Sequence, residues 1–180
     1  MHIVDKLWVD NHLDTLLSAI KRGDILIYPT DTIYGIGCDA FNTTSIETLR
    51  ALKQRPDKPF SIIAPSKKWV DEHFFVPQEA LDMLPGPITL ILEPKDTAMF
   101  SPAINPNGNS IGVRIPDHWF SEIIQKTGIP FITTSVNLSD NPHMTSLDDI
   151  PASFQKSVTF CVYESPINGV SSKKFDFTNC

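Results

Sequence analysis

Lys53, Arg55 and Lys58 place three cations within one short stretch, "KQRPDKP". Such a cluster suits a polyphosphate: an arginine offers a planar fork of N–H donors and a lysine a compact point charge. Pro56 and Pro59 stiffen the backbone around them, so the charges would be in place before a ligand arrives. Two plainer explanations stand beside this one. Cations at a helix end offset the helix dipole, and runs of charge are usually solvated.

Three other stretches carry chemistry. "YPTDTIYGIGCDA" (28–40) gathers Thr30, Thr32, two aspartates, two tyrosines and two glycines directly after a strand-like run. Glycines permit close backbone approach and hydroxyls orient small polar ligands. A hydrogen-bonded strand-to-loop turn has the same composition. The stretch lacks the GK[ST] ending of a Walker phosphate loop. "SIGVRIPDH" (110–118) sets Arg114 at the end of a strand, where open α/β sheets form ligand crevices; an arginine paired with a surface carboxylate would look the same. "TTSVNLSDNP" (133–142) runs a β-branched strand into Ser135 and Asn137. These two share a face if the strand continues that far; otherwise they close it as an ordinary Asn/Ser turn. No GxSxG or HExxH occurs, and none of the three cysteines has an evident catalytic histidine, so nothing points to a covalent nucleophile or a protein-held metal.

The elements that must position these residues follow from periodicity. Leu13, Leu16, Leu17 and Ile20 recur at helical spacing before Gly23, a helix stop. "DILIYPT" (24–30) reads as a buried strand. Thr44 followed by Glu47 is a capping-box pattern opening a helix with Ile46, Leu49 and Leu52 on its apolar face, and Pro56 predicts its end at 53–55. Strands are expected at 60–64, 88–93, 110–115, 130–135, 159–164 and 175–178, with short helices near 66–73 and 77–84. Asp117 is expected to cap a further helix of about ten residues. Alternating strands and helices predict an α/β sheet with helices packed on it, and the strand-rich end predicts a mixed sheet.

The chain has 180 residues, 41% hydrophobic and 20% charged, enough for one full-sized core. A net charge of −6 argues against a broad nucleic-acid-binding face while leaving room for a local basic patch. Cys38, Cys161 and Cys180 are widely separated and form no CxxC pair, which suggests reduced thiols in a cytoplasmic protein. No apolar run reads as a signal peptide or membrane span.

Taken together and in order, these segments resemble the Sua5/YrdC/TsaC family of threonylcarbamoyl-AMP synthases. The resemblance is carried by "PTDTIYGIG" (29–37), "KQRP" (53–56), "GPIT" (86–89), "VRIP" (113–116) and "TSVNLSD" (134–140). It runs from about the first helix to "FDFT" and implies a single YrdC-like domain over 1–180, a twisted mixed open sheet of the short type. It implies a nucleotidyltransferase that makes L-threonylcarbamoyladenylate and pyrophosphate from L-threonine, bicarbonate and ATP, for N6-threonylcarbamoyladenosine (t6A37) in tRNA. Mg²⁺ would accompany ATP as substrate. The resemblance assigns Lys53, Arg55, Ser135 and Asn137 to the triphosphate and adenylate, with Lys53 and Arg55 stabilising the departing pyrophosphate. It assigns Lys58, Ser110 and Thr145 to the nucleotide side, and Thr30, Thr32, Arg114 and Ser172 to threonine, with Arg114 on its carboxylate. A separate threonylcarbamoyltransferase complex is the implied partner, with weak tRNA or RNA binding as a further expectation.

The sequence departs from the family pattern in three places. Asp140 stands where the family has glycine, Lys173 and Lys174 extend "SSKKFD", and an arginine-bearing final strand is not part of the sequence; Lys173 or Lys174 could take over that arginine's role. Three alternatives remain at this level: an RNA-binding or ribosome-associated module, the related carbamoyl-adenylate chemistry of hydrogenase-maturation carbamoyltransferases, and an inactive paralogue.

Overall fold

The computed structural model describes residues 1–178. Its regular elements are β1 (His2–Val4), α1 (Lys6–Asn11), α2 (Leu13–Arg22), β2 (Ile25–Tyr28), β3 (Gly35–Gly37), α3 (Thr43–Leu52), β4 (Ser61–Ile63) and α4 (Lys67–His73). They continue with β5 (Phe74–Phe75), α5 (Gln78–Asp82), β6 (Ile88–Pro94), β7 (Ile111–Arg114), α6 (Phe120–Thr127), β8 (Phe131–Ser135), β9 (Val158–Val162) and β10 (Lys173–Asp176).

The strands form a mixed sheet in the order β1-β9-β2-β3-β8-β4-β7-β6-β10, with β5 beside β6. Pairing is parallel for β1/β9, β9/β2, β4/β7 and β6/β10. It is antiparallel through the centre, where β3 and β8 join β2 to β4. Period-two alternation divides the apolar residues between the two faces. Ile27, Ile36, Ile62, Leu90, Val113 and Ile132 face a core built with α3, α4 and α5. Leu26, Tyr28, Ile63, Phe131 and Val162 face a second core closed by α1, α2 and α6. A sheet covered on both faces needs strands that are apolar nearly throughout, and the central strand β2 is buried at all four positions.

Several expectations are corrected. α3 begins from Asn42, whose carboxamide oxygen accepts the Ser45 N–H at 3.0 Å; Thr44 lies inside the helix, so the Thr44–Glu47 box does not form. Asp117 caps no helix. α6 starts at Phe120 and runs eight residues, while the Asp117 N–H donates to Asp31 Oδ2 at 2.9 Å. "GIG" (35–37), read as part of a loop, is the strand β3. A β-carbon on Gly37 would lie 1.6 Å from the Ile132 carbonyl oxygen, so the strand needs glycine for close approach rather than for a turn. β1 and α1 were too short to stand out by periodicity. Cys38 and Cys161 are free and buried; Cys180 lies outside the described residues.

Candidate active site

The turn after β2 is built by Thr30. Its hydroxyl donates to the Ile33 carbonyl at 2.7 Å and accepts the N–H groups of Thr32 and Ile33. With that hydrogen committed, Thr32 is left to donate in the 2.9 Å contact between the two hydroxyls. Thr30 therefore shapes the loop that presents Asp31 and Thr32. Arg114, at the end of β7, meets both: Nη2 donates to Asp31 Oδ1 at 2.6 Å, and both terminal nitrogens lie 3.3 Å from Thr32 Oγ1. This ion pair is nearly buried, with side chains 7% and 10% exposed. Burial pulls the Arg114 pKa down and Asp31 works against that shift. Its Nε is enclosed without a partner among the described residues, while Nη1 uses one of its two N–H groups on Thr32, so the terminal edge of the fork keeps a donor for a ligand.

The cation loop is built from α3. Lys53 caps the helix, and Gln54 takes a left-handed φ of 51° to turn the chain. Lys53 is wholly buried. Its Nζ donates to the carbonyls of Ser135 and Asn137 at 2.5 and 2.8 Å and to Asn137 Oδ1 at 2.9 Å. All three ammonium hydrogens are thus used, and the side chain ties the cation loop to the end of β8. Burial first, then the neighbouring Arg55 charge, push its pKa down to about 7. Ser135 Oγ donates to Asn137 Oδ1 at 2.7 Å. These two residues meet through a bend after β8 and through Lys53, not through continued strand alternation. Lys58 pairs with Asp140 at 2.5 Å, with both side chains largely exposed. Asp140 has φ 66°, a conformation that favours glycine.

Arg55 donates to the carbonyls of Lys58 and Pro59 and still borders a cleft of ≈ 200 Å³. Ser61, Thr89, Arg114, Thr133, Ser135, Ser172 and Lys174 also line it. Register places Ser61 opposite both Gly112 and Thr133, and Lys174 opposite Thr89. These residues share a sheet face with Ile63 and Phe131, so the cleft continues the α1–α2–α6 side of the sheet beyond its helical cover. The segment 164–172 crosses one side. Tyr34 fixes it by donating to the Ser165 carbonyl at 2.8 Å and accepting the Glu164 N–H. The Ser172 and Thr89 hydroxyls are 2.7 Å apart.

Arg55, Arg114, Ser135 and Ser172 therefore meet in one cleft, with Thr32 touching Arg114. Lys53 and Asn137 support that arrangement from behind. Ser110 and Thr145 do not line it. The Ser110 carbonyl accepts from Asn105 at 2.9 Å, and the Thr145 N–H and hydroxyl both donate to Asp149 at 2.8 Å. Sequence reasoning missed Asp31, Ser61, Thr89 and Thr133 as site residues. For Ser61, Thr89 and Thr133 the signal was a polar residue on the same alternate face of apolar strands; Asp31 lies in the turn after β2 and had no such signal. It also missed Arg50, buried on α3, which donates to the carbonyls of Ala103, Ile104, Arg55 and Lys58. Its spacing four residues after Ile46 put it on the buried face. Among the described residues no three His, Cys, Asp or Glu side chains gather as metal ligands, and no helix is long and apolar enough to cross a membrane.

The model of the Sua5/YciO/YrdC family, described as "Telomere recombination", matches residues 18–179. The chain belongs to this family. It is 32% identical over 152 residues to the threonylcarbamoyl-AMP synthase of Vibrio parahaemolyticus, covering 78% of this chain and 80% of the relative. Its fold matches that of P. abyssi Sua5 complexed with L-threonine, with TM-score 0.86 and 23% identity over 98% of this chain. It spans about half the length of that protein, 54%. It also matches E. coli YciO, with TM-score 0.83 and 18% identity over 99% of this chain and 90% of the other. Family members thus share the open mixed sheet that carries the cleft.

Proposed function

We propose that the chain is a threonylcarbamoyl-AMP synthase, a nucleotidyltransferase acting on L-threonine, bicarbonate and MgATP. The observation that carries the reading is the convergence of two anion-binding elements on one small polar cleft: the Arg114–Asp31–Thr32 group on one side and the rigid Arg55 loop with Ser135 on the other. Arg114 binds the threonine carboxylate through the remaining N–H of Nη1, and Thr32 and Ser172 complete that side. Arg55 and Lys58 bind the triphosphate, the latter by exchanging its Asp140 partner for phosphate.

The threonine amine combines with bicarbonate, losing water, to give a carbamate. A carbamate oxygen then attacks the α-phosphorus, and the bond from that phosphorus to the β-phosphate oxygen breaks. Its electron pair leaves with pyrophosphate, whose charge Arg55 stabilises. The protein's contribution is placement and electrostatics, with no covalent enzyme intermediate. Lys53 acts by holding Ser135, Asn137 and the cation loop in register. Mg²⁺ enters with ATP as substrate. The product passes to a threonylcarbamoyltransferase complex that modifies tRNA in the cytoplasm, with at most weak contact between this chain and tRNA, and residues 1–180 act as one domain.

Pyrophosphate release from ATP, Mg²⁺, L-threonine and bicarbonate tests the reading. Release should need both threonine and bicarbonate and be lost in Lys53→Ala and Arg55→Ala. ATP binding without release would indicate an inactive paralogue, and neither would shift the weight to an RNA-binding module.

A further inference from the structure

The cations around the cleft differ sharply in how far they are already engaged. Lys53 is enclosed and donates to three acceptors. Lys58 is neutralised by Asp140 and Arg114 by Asp31. Arg55 spends two donors on backbone carbonyls. Lys174 lines the same cleft and has no hydrogen-bond or ion-pair partner among the described residues. We propose that Lys174 is a binding residue for the phosphates of the nucleotide, a role that rests on the synthase reading above.

Strand geometry supports this over its neighbour. Lys174 pairs with Thr89 on β6, and Thr89 borders the cleft. Alternation sends Lys173 to the opposite face, where its Nζ lies 4.9 Å from the Phe175 ring centre and Phe175 packs on the other core. The demand is electrostatic. A triphosphate brings several negative charges to a site whose nearest cations are largely paired, and an unpaired lysine pays no cost of breaking an existing ion pair. A lysine on an edge strand can also serve only to discourage edge-to-edge pairing. That role needs a charge of either sign, whereas phosphate binding needs a positive one.

The test is calorimetric binding of ATP to the full chain in the absence of threonine, with melting curves to check folding. Lys174→Ala should weaken ATP binding about five- to tenfold, with the loss shrinking as salt rises. Lys174→Glu should weaken it further, Lys174→Arg should restore it, and Lys173→Ala should stay within about twofold. In turnover the Lys174→Ala defect should appear in KM for ATP and not in KM for threonine. Equal ATP affinity of the parent chain and Lys174→Ala would overturn the proposal, as would a defect confined to threonine. A parent chain that binds ATP in this Lys174-dependent way but releases no pyrophosphate would refute the synthase reading and leave the Lys174 assignment standing. A parent chain that does not bind ATP would overturn both.

Discussion

Replacing Arg50 by methionine should loosen the cation loop while leaving every side chain that lines the cleft in the sequence. The Arg50 guanidinium donates five hydrogen bonds to four carbonyls. It also lies 4.5 Å from the centre of the Phe60 ring. The carbonyls of Arg55 and Lys58 belong to a partly exposed loop where water can replace the lost donor, but Ile104 is buried and Ala103 half-buried. The Ile104 carbonyl keeps the Phe60 N–H at 2.9 Å, so Ala103 is the acceptor left orphaned, at a cost of about 1–3 kcal/mol. At about 2–4 °C per kcal/mol for a chain of this size, the melting point should fall by about 2–12 °C. The functional consequence is larger than the distance suggests, because Arg50 fixes the carbonyls from which Arg55 and Lys58 project. ATP affinity, measured well below the melting point, should drop about tenfold or more, since small misplacements of binding groups are costly. Arg50→Lys keeps the charge but not the fork, and should recover only part of the loss. Urea unfolding and ATP titration on the same preparations decide the matter. A methionine variant within about 0.5 kcal/mol of the parent chain, with unchanged ATP affinity, would refute the assignment of Arg50 as the residue that positions the loop.

Stability should respond to pH through Lys53. Burial pushes its pKa from 10.5 to about 7, so between these values the unfolded chain binds a proton that the folded chain lacks, and stability rises with pH. The buried thiols of Cys38 and Cys161 are pushed up from 9.0 and act in the opposite sense once the unfolded thiols ionise. The urea midpoint should therefore climb from pH 7 to about pH 8.5 and then level or fall; Lys53→Met should flatten the climb, and parallel profiles for the two chains would contradict it. A β-carbon on Gly169 would lie 1.7 Å from the Thr32 carbonyl oxygen. Gly169→Ala should displace the crossing segment and raise KM for threonine about tenfold while leaving ATP binding intact; an unchanged KM would show that the segment does not shape the threonine side.

The α2 helix was legible because Leu16 and Ile20 repeat at helical spacing and Gly23 ends the helix in a left-handed conformation at φ 86°. β4, β6 and β8 were legible as apolar runs of strand length. β3 was not, because two glycines in three residues carry almost no strand preference, and the strand exists only through its pairing with β2 and β8. The Thr44–Glu47 pattern failed because Asn42 supplied the capping acceptor two residues earlier. Short motifs announced the cation loop, the threonine-rich turn and Arg114, since each is fixed by local backbone chemistry: prolines that stiffen, a hydroxyl that closes a turn, a strand end that projects a side chain.

Only the folded arrangement decided how those pieces divide their work. Lys53 reads as one more surface cation until the end of β8 is brought against it and encloses it. Arg114 reads as free until Asp31, far away in sequence, takes half of its fork. Lys174 and Thr89 become neighbours because β10 adds in parallel to β6. The sequence by itself determined which residue types were available and which local turns and elements would form, because those depend on interactions between near neighbours. Which cations are spent on structure and which remain for a ligand depended on burial and long-range pairing, and these exist only once the sheet has assembled.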